Sequence, residues 1–249
     1  MRLSLVGNVP LRRSVRRASL ALGGLACLAA PAEPAAQSVS PPIAEYQERA
    51  RSSYQLINST IFPLSVVLEV RGFSVTERGE VQDAPLDTAK VRVKLSAMSF
   101  RIPPRATYTV FYEATADSVP AWFNIVSAMT GGKTENGLNV RILLPHVVYL
   151  NQKEPLRREQ VAVRAFELDT VAGKLRVQLE NLSPHLGRVQ QVTASAGKTT
   201  SAPGAGFPLF PRMLRWTEVD WEGPAAPERL TVRFARFSLD TVLAPTLQR

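Results

Sequence analysis

Residues 64–75 read LSVVLEVRGFSV, a short run rich in β-branched side chains and without helical periodicity, and the chain repeats that grammar from end to end. YQLIN (54–58), VRVKL (91–95), ATYTVFYEA (106–114) and WFNIVSAM (122–129) follow the same rule, separated by Asn, Pro, Gly and charged clusters. Branched and aromatic side chains suit a pleated, half-buried surface, and Pro and Gly punctuate the turns between strands. The pattern predicts an all-β sandwich. NQKEPLRRE (151–159) is polar and charged, the composition of an inter-domain connection. Beyond it the grammar restarts in VAVRAFELD, KLRVQLEN, RVQQVTA, RMLRWTEVDW and RLTVRFARFSL. Two β-sandwich domains are therefore predicted, over 37–156 and 157–249. SAGKTTSAPGAGFP (195–208) is small, Gly- and Pro-rich, and predicted to be a mobile loop.

The first 36 residues read as a cleaved secretory signal. Arg12, Arg13, Arg16 and Arg17 form a positive start, and the apolar run Ala18–Ala30 that follows is too short for a stable membrane anchor. Small residues near Ala32 or Ala36 suit cleavage. The pair Arg16-Arg17 is only a partial twin-arginine signal, and Cys27 lacks the large aliphatic residue expected three positions before a lipidated cysteine. Removing the segment takes away Arg2 with those four arginines. In a mature chain starting at Glu33, 25 of the 30 basic residues face 21 acidic ones, so the basic balance says little about nucleic acid. Cys27 is the single cysteine, and a mature chain without disulfides must rest on its hydrophobic core. No later segment has the length and purity of a membrane-spanning helix. The expected product is exported.

Motifs for chemistry are weak. GGKT (131–134) looks like the end of a phosphate-binding loop, but the first glycine of that motif would fall at Ser127, and a strand follows where a helix is needed. GGKTENG is better read as a connection between antiparallel strands, with glycines that tolerate positive φ. The two histidines, His146 and His185, have no partner carboxylates at metal-ligand spacing, so no metal and no cofactor are expected. His146 lies in an apolar strand and is expected to be packed and hydrogen-bonded. No nucleophile elbow is present, and an enzyme is not the expected reading. Asn58-Ser59-Thr60 and Asn181-Leu182-Ser183 match the glycosylation pattern but fit better as strand-ending turns. Trp216 and Trp221 are expected to pack in a core or at an edge.

The order VSPP, YQLINSTIFPLSVVLEV, FRIPPRATYTVFYEA, VPAWFNIVSA, NGLNVRILLPHVVYL resembles the N-terminal domain of the periplasmic pilus chaperones of the chaperone–usher pathway. KLRVQLENLSPHLGRV is similar to the strand, Asn and turn of that family's C-terminal domain, which extends the resemblance over nearly all of the chain beyond the signal. The resemblance implies two immunoglobulin-like domains set at an angle. It also implies a periplasmic chaperone that holds pilus or fimbrial subunits lacking one strand, lends that strand, and delivers them to an outer-membrane usher. The physical logic is β-augmentation, in which an exposed strand supplies ladder hydrogen bonds while alternate apolar side chains fill the subunit's groove.

The matching strand begins after Asn136. Leu138, Val140, Ile142 and Leu144 fall on one face at period two and are the expected donated side chains. Leu143, Val147 and Tyr149 make the opposite face apolar too, so alternation alone leaves open which face meets the chain's own core. Pro145 cannot donate to a ladder and argues for an edge. The family holds the subunit's terminal carboxylate with an Arg in the first strand and a Lys beyond the donor segment. Here those positions are Ile43 or Ala44, and Val147. Arg51 and Arg141 are the candidate substitutes. The expected state is a monomer or a weak self-capping dimer, and the alternative function is a secreted β-sandwich adhesin or structural pilus component without a chaperone role.

Overall fold

The computed structural model describes residues 37–133 and 139–243. The expected secretory signal at 1–36, the connection expected at Asn136 and Gly137, and Leu138 lie outside the described residues.

The described residues form eighteen strands, ten before the connection and eight after it. The first ten are β1 (Ser38–Ser40), β2 (Ile43–Gln47), β3 (Arg49–Ile57), β4 (Leu64–Val75), β5 (Val81–Pro85), β6 (Val91–Leu95), β7 (Ser99–Ile102), β8 (Thr107–Ala116), β9 (Ala121–Lys133) and β10 (Asn139–Asn151). They make one sheet in the order β1-β3-β8-β6 and a second in the order β2-β10-β9-β4-β5, with β7 also paired to β4. The second half contributes β11 (Val161–Asp169), β12 (Lys174–Asn181), β13 (Gly187–Ala196), β14 (Thr199–Thr200), β15 (Phe207–Leu209), β16 (Leu214–Asp220), β17 (Arg229–Phe234) and β18 (Ser238–Val242). Its sheets run β11-β12-β16 and β14-β13-β17-β18, with β15 also on β13.

Alternation explains the packing. In β4, Leu64, Val66 and Leu68 are buried while Val67 between them is exposed; in β8, Val110, Tyr112 and Ala114 point inward and Phe111 outward. These residues meet Tyr54 and Leu56 of β3 and Phe123 and Ile125 of β9 in the core of the first sandwich. Each such aliphatic or aromatic side chain contributes on the order of 2 kcal/mol by leaving water. A second core holds Leu175, Val177, Val189, Val192, Leu230 and Val232. Leu156, at the end of the expected first domain, packs in that second core.

Asn58 and Asn181 end equivalent strands in the same way. Asn58 Nδ2 donates to the carbonyls of Phe62 and Pro103 at 2.8 and 2.9 Å, and its Oδ1 accepts from the Thr60 backbone N–H and hydroxyl. Asn181 Nδ2 donates to the His185 and Leu209 carbonyls, and its Oδ1 accepts from both groups of Ser183. Both amides are fully buried, so these are turns, as the sequence predicts, and not sugar acceptors.

The segment 195–208 departs from the sequence reading. It carries β14 and the start of β15, both hydrogen-bonded to β13, and Gly204 bridges Val192. Gly206 makes this possible, because a Cβ there would stand 2.7 Å from the Val189 carbonyl oxygen. Small residues here serve close backbone approach, a use that composition does not separate from mobility.

Candidate functional site: an unpaired strand edge beside a cleft

β1 and β2 are two halves of one extended segment that changes sheets at Pro41-Pro42. β1 pairs with β3 in the first sheet, and β2 then runs parallel to β10 in the second, Ile43 opposite Val147 and Gln47 opposite Asn151. The switch has a direct consequence for β10. On one side the strand pairs with β9 along nearly its whole length, but on the other it is paired only from Val147 onward. Among the described residues nothing pairs with the stretch from Asn139 to His146 on that side.

The free edge has a defined polarity. The Val147 N–H donates to the Pro42 carbonyl at 2.9 Å, away from β9. Backbone groups alternate sides along a strand, so Arg141 and Leu143 present N–H and C=O to the open side, and Pro145 presents its carbonyl alone. Pro145 therefore sits where its missing N–H forfeits no ladder bond to β9, in line with the edge inferred from sequence.

Side chains divide by parity. Val140, Ile142 and Leu144 share the face turned toward the first core and are half-buried; Leu144 packs on the core, while Val140 and Ile142 line a cavity of about 370 Å³ with Leu64, Met129 and the exposed Phe62. Leu143 and Pro145 are exposed on the opposite face. The sequence-predicted set is thus brought to one face for its three described members.

β10 is fixed against the core by His146. The ring is fully buried and stacks on Tyr54, with centroids 4.4 Å apart. Its Nδ1 lies 2.7 Å from the Pro41 carbonyl and its Nε2 3.0 Å from the Tyr112 hydroxyl, which in turn meets Tyr46 Oη at 2.9 Å. A neutral imidazole that donates to Pro41 and accepts from Tyr112 satisfies every member of the chain. Burial holds the imidazole below its ordinary range and raises the phenol of Tyr54 to about 12.

The outer face of β10 borders a cleft between the two sandwiches. Phe73, Trp122 and Tyr149 from the first half surround Phe210 from the second, with Trp122 and Phe210 centroids 4.6 Å apart. Val147 packs against this cluster. Arg188 on β13 forms an ion pair with Glu45 on β2 and lies 5.2 Å from the Tyr149 ring centroid. Farther along, Leu143, Pro145, Val147, Asn124 and Arg215 line a cavity of about 490 Å³.

Of the positions where the resemblance would put cations, Ile43 is opposite Val147 in the parallel register and Ala44 is opposite Val148, and all are apolar. The proposed substitutes stand elsewhere. Arg51 is an exposed residue on the outer face of the other sheet, 3.2 Å from the Glu113 carboxylate opposite it on β8. Arg141 is exposed toward the start of β10, six residues before Val147. Neither lines the 490 Å³ cavity. Among the described residues, no group of three or more His, Cys, Asp or Glu could hold a metal, and no helix is long and apolar enough to cross a membrane.

No family model matches the chain, and no curated protein matches it. Solved structures do. A chain of the chaperone–tip adhesin complex of CFA/I fimbriae biogenesis matches with a TM-score of 0.50 at 7% identity, over 85% of this chain and 100% of that one. The YadV chaperone matches with a TM-score of 0.50 at 13% identity, over 83% of this chain and 99% of its own. At such identities the likeness is one of fold: an all-β chain of two sandwiches.

Proposed function

We propose that this protein is a periplasmic chaperone of pilus or fimbrial subunits, one that binds a subunit lacking a strand by lending it the free edge of β10 before delivery to an outer-membrane usher. The observation that carries the reading is the half-paired state of β10. The strand is held rigidly by β9, by β2 beyond Val147 and by the buried His146, yet it leaves an apolar edge open over Asn139–His146. An unpaired apolar edge is an aggregation hazard in a protein with no partner, and a template for one that has a partner. The likeness in fold to the YadV chaperone supports the same reading. Export by a signal within 1–36 is the matching localisation, and the free protein is monomeric or a weak dimer that caps its own edge.

Arg141 and Leu143 supply backbone donors and acceptors to the incoming strand, and Val140, Ile142 and Leu144 supply side chains for its groove, with Leu138 preceding them. No bond is made or broken. Recognition rests on ladder hydrogen bonds and burial of apolar surface.

The test is capture of a co-expressed pilus subunit. Val140→Glu or Ile142→Glu leaves the protein folded, because both side chains sit at the half-buried rim and not in the closed core, and abolishes co-purification. Undiminished capture by both variants sinks the assignment of β10 as donor.

A further inference from the structure

β2 has little of its own to hold it in place. Its five side chains are all exposed or half-buried, and it pairs only with β10, Ile43 opposite Val147 and Gln47 opposite Asn151. A strand that buries so little apolar surface gains little by leaving water and depends on specific ties.

Two of those ties converge on one side chain. At the start of the segment the Pro41 carbonyl lies 2.7 Å from His146 Nδ1. Near its end Tyr46 Oη meets Tyr112 Oη at 2.9 Å, and Tyr112 Oη meets His146 Nε2 at 3.0 Å. His146 therefore holds both ends, one directly and the other through a single tyrosine. Beyond the strand, the Glu48 N–H donates to the Asn151 carbonyl at 2.9 Å and tethers the chain.

The ring is surrounded by neutral groups. β3 stacks Tyr54 on it, β8 brings Tyr112 and β2 brings Tyr46, while β9 sets Ile125 opposite it and Ser127 against the Tyr54 hydroxyl. Burial pushes the Tyr54 and Tyr112 phenols up, so neither supplies an anion near neutral pH. The charged tie of β2, Glu45 to Arg188, belongs to the opposite, outward parity of the strand.

A proton on the ring reverses the chain of hydrogen bonds. Both ring nitrogens then donate, so Tyr112 accepts from Nε2 and turns its own proton toward Tyr46, which must donate outward. The bonds can follow that reversal, but no carboxylate among the facing groups offsets the charge, and a buried unpaired cation is costly. Hydration of the ring relieves the cost. Of the strands around it, β3, β8 and β9 are interior to their sheets and β2 is an edge. β2 is the one that can lift without dismantling a sheet.

We propose that β2 is a releasable strap, latched onto β10 by His146 through Pro41 at one end and through Tyr112 and Tyr46 at the other, and that protonation of the ring unlatches it while the sandwich stays folded. Once the strap lifts, the open edge of β10 continues past Val147, and a strand bound there loses its stop. That last consequence rests on the chaperone reading; the latch itself does not.

The test is hydrogen–deuterium exchange of the whole protein without a subunit, read by mass spectrometry from about pH 7.5 downward and corrected for the chemical rate at each pH. Protection of Ile43–Gln47 falls below about pH 6.5, by up to about tenfold per pH unit, while 123–129 of β9 keep theirs. His146→Gln removes the pH dependence. Glu45→Gln, which takes away the other titratable tie of the strap, leaves it. Tyr46→Phe lowers the protection of the strap about fivefold already at neutral pH, the worth of one hydrogen bond, and keeps the pH dependence. Protection that does not change with pH, an equal fall in 43–47 and 123–129, or a fall that persists in His146→Gln overturns the latch. Should that variant fail to fold, the wild-type ring decides: its proton resonance titrates at the pH where the strap opens, or the latch is overturned. The free protein is measured throughout, so loss of subunit capture in Ile142→Glu and loss of the latch are separate results.

Discussion

His146 shows how one residue ties function to stability. It is fully buried in β10, neutral, and hydrogen-bonded at both nitrogens to Pro41 and Tyr112, groups that hold the switch from β1 to β2. Its pKa is depressed by burial, with the Pro41 contact offsetting part of the effect. The unfolded chain therefore binds the proton first as pH falls, and the stability it contributes is full above about 6.5 and declines below that value. We expect the unfolding free energy to drop by up to about 1.4 kcal/mol per pH unit as pH falls below about 6.5. Denaturant titrations at and below that pH check this, and His146→Gln should flatten the slope. The sequence reading of His146 as a packed, bonded residue holds, because a histidine among Val, Leu and Ile has few other ways to be satisfied. Arg215 was not legible in the same way. Its distinction is a buried Nε with no hydrogen-bond partner among the described residues, and that is a property of the folded surroundings.

At the scale of the element, β9 and β10 form a ribbon whose register changes between Val140 and Arg141, with Gly131 as the extra residue. Gly131 has φ +107°, and a Cβ there would lie 2.8 Å from the Pro63 carbonyl oxygen. The sequence marks this glycine as able to take positive φ, but assigns it to a turn; the structure uses it in a bulge inside β9. Bulges bend a strand and raise its twist, and this one lies where the free edge of β10 begins. Gly131→Val should destabilise the protein by about 1–3 kcal/mol, measured as a lower denaturant midpoint. Strand identity was largely legible: β4, β6, β11 and β12 coincide with runs picked out by composition alone. Strand partnership was not. Nothing in IAEYQ announces that Ile43 will sit beside Val147, since pairing depends on the change of sheet at Pro41-Pro42 and not on periodicity.

At the scale of the molecule, Phe210 couples the two sandwiches. It is 5% exposed, yet its neighbours Phe73, Trp122 and Tyr149 all belong to the other half, and Trp122 Nε1 is itself fixed by the Phe73 carbonyl at 2.9 Å. The hairpin between β4 and β5 adds a second tie, the Trp216 N–H donating to the Glu77 carbonyl at 2.7 Å. Phe210→Ala should cost about 3 kcal/mol and separate one calorimetric unfolding transition into two, since each sandwich keeps its own core. A single unshifted transition in the variant would show that the coupling runs elsewhere.

The closure of β10 by β2 also sets a length. From Asn139 to His146 the open edge spans about 26 Å at roughly 3.3 Å per residue, and among the described residues its hard stop is β2 at Val147. On the proposed reading, a strand laid on this edge cannot extend past Val147, where β2 takes over the pairing. If the edge takes a strand as proposed, β2 acts as the jaw of a gauge, and the register of that strand is counted from Val147 toward Asn139.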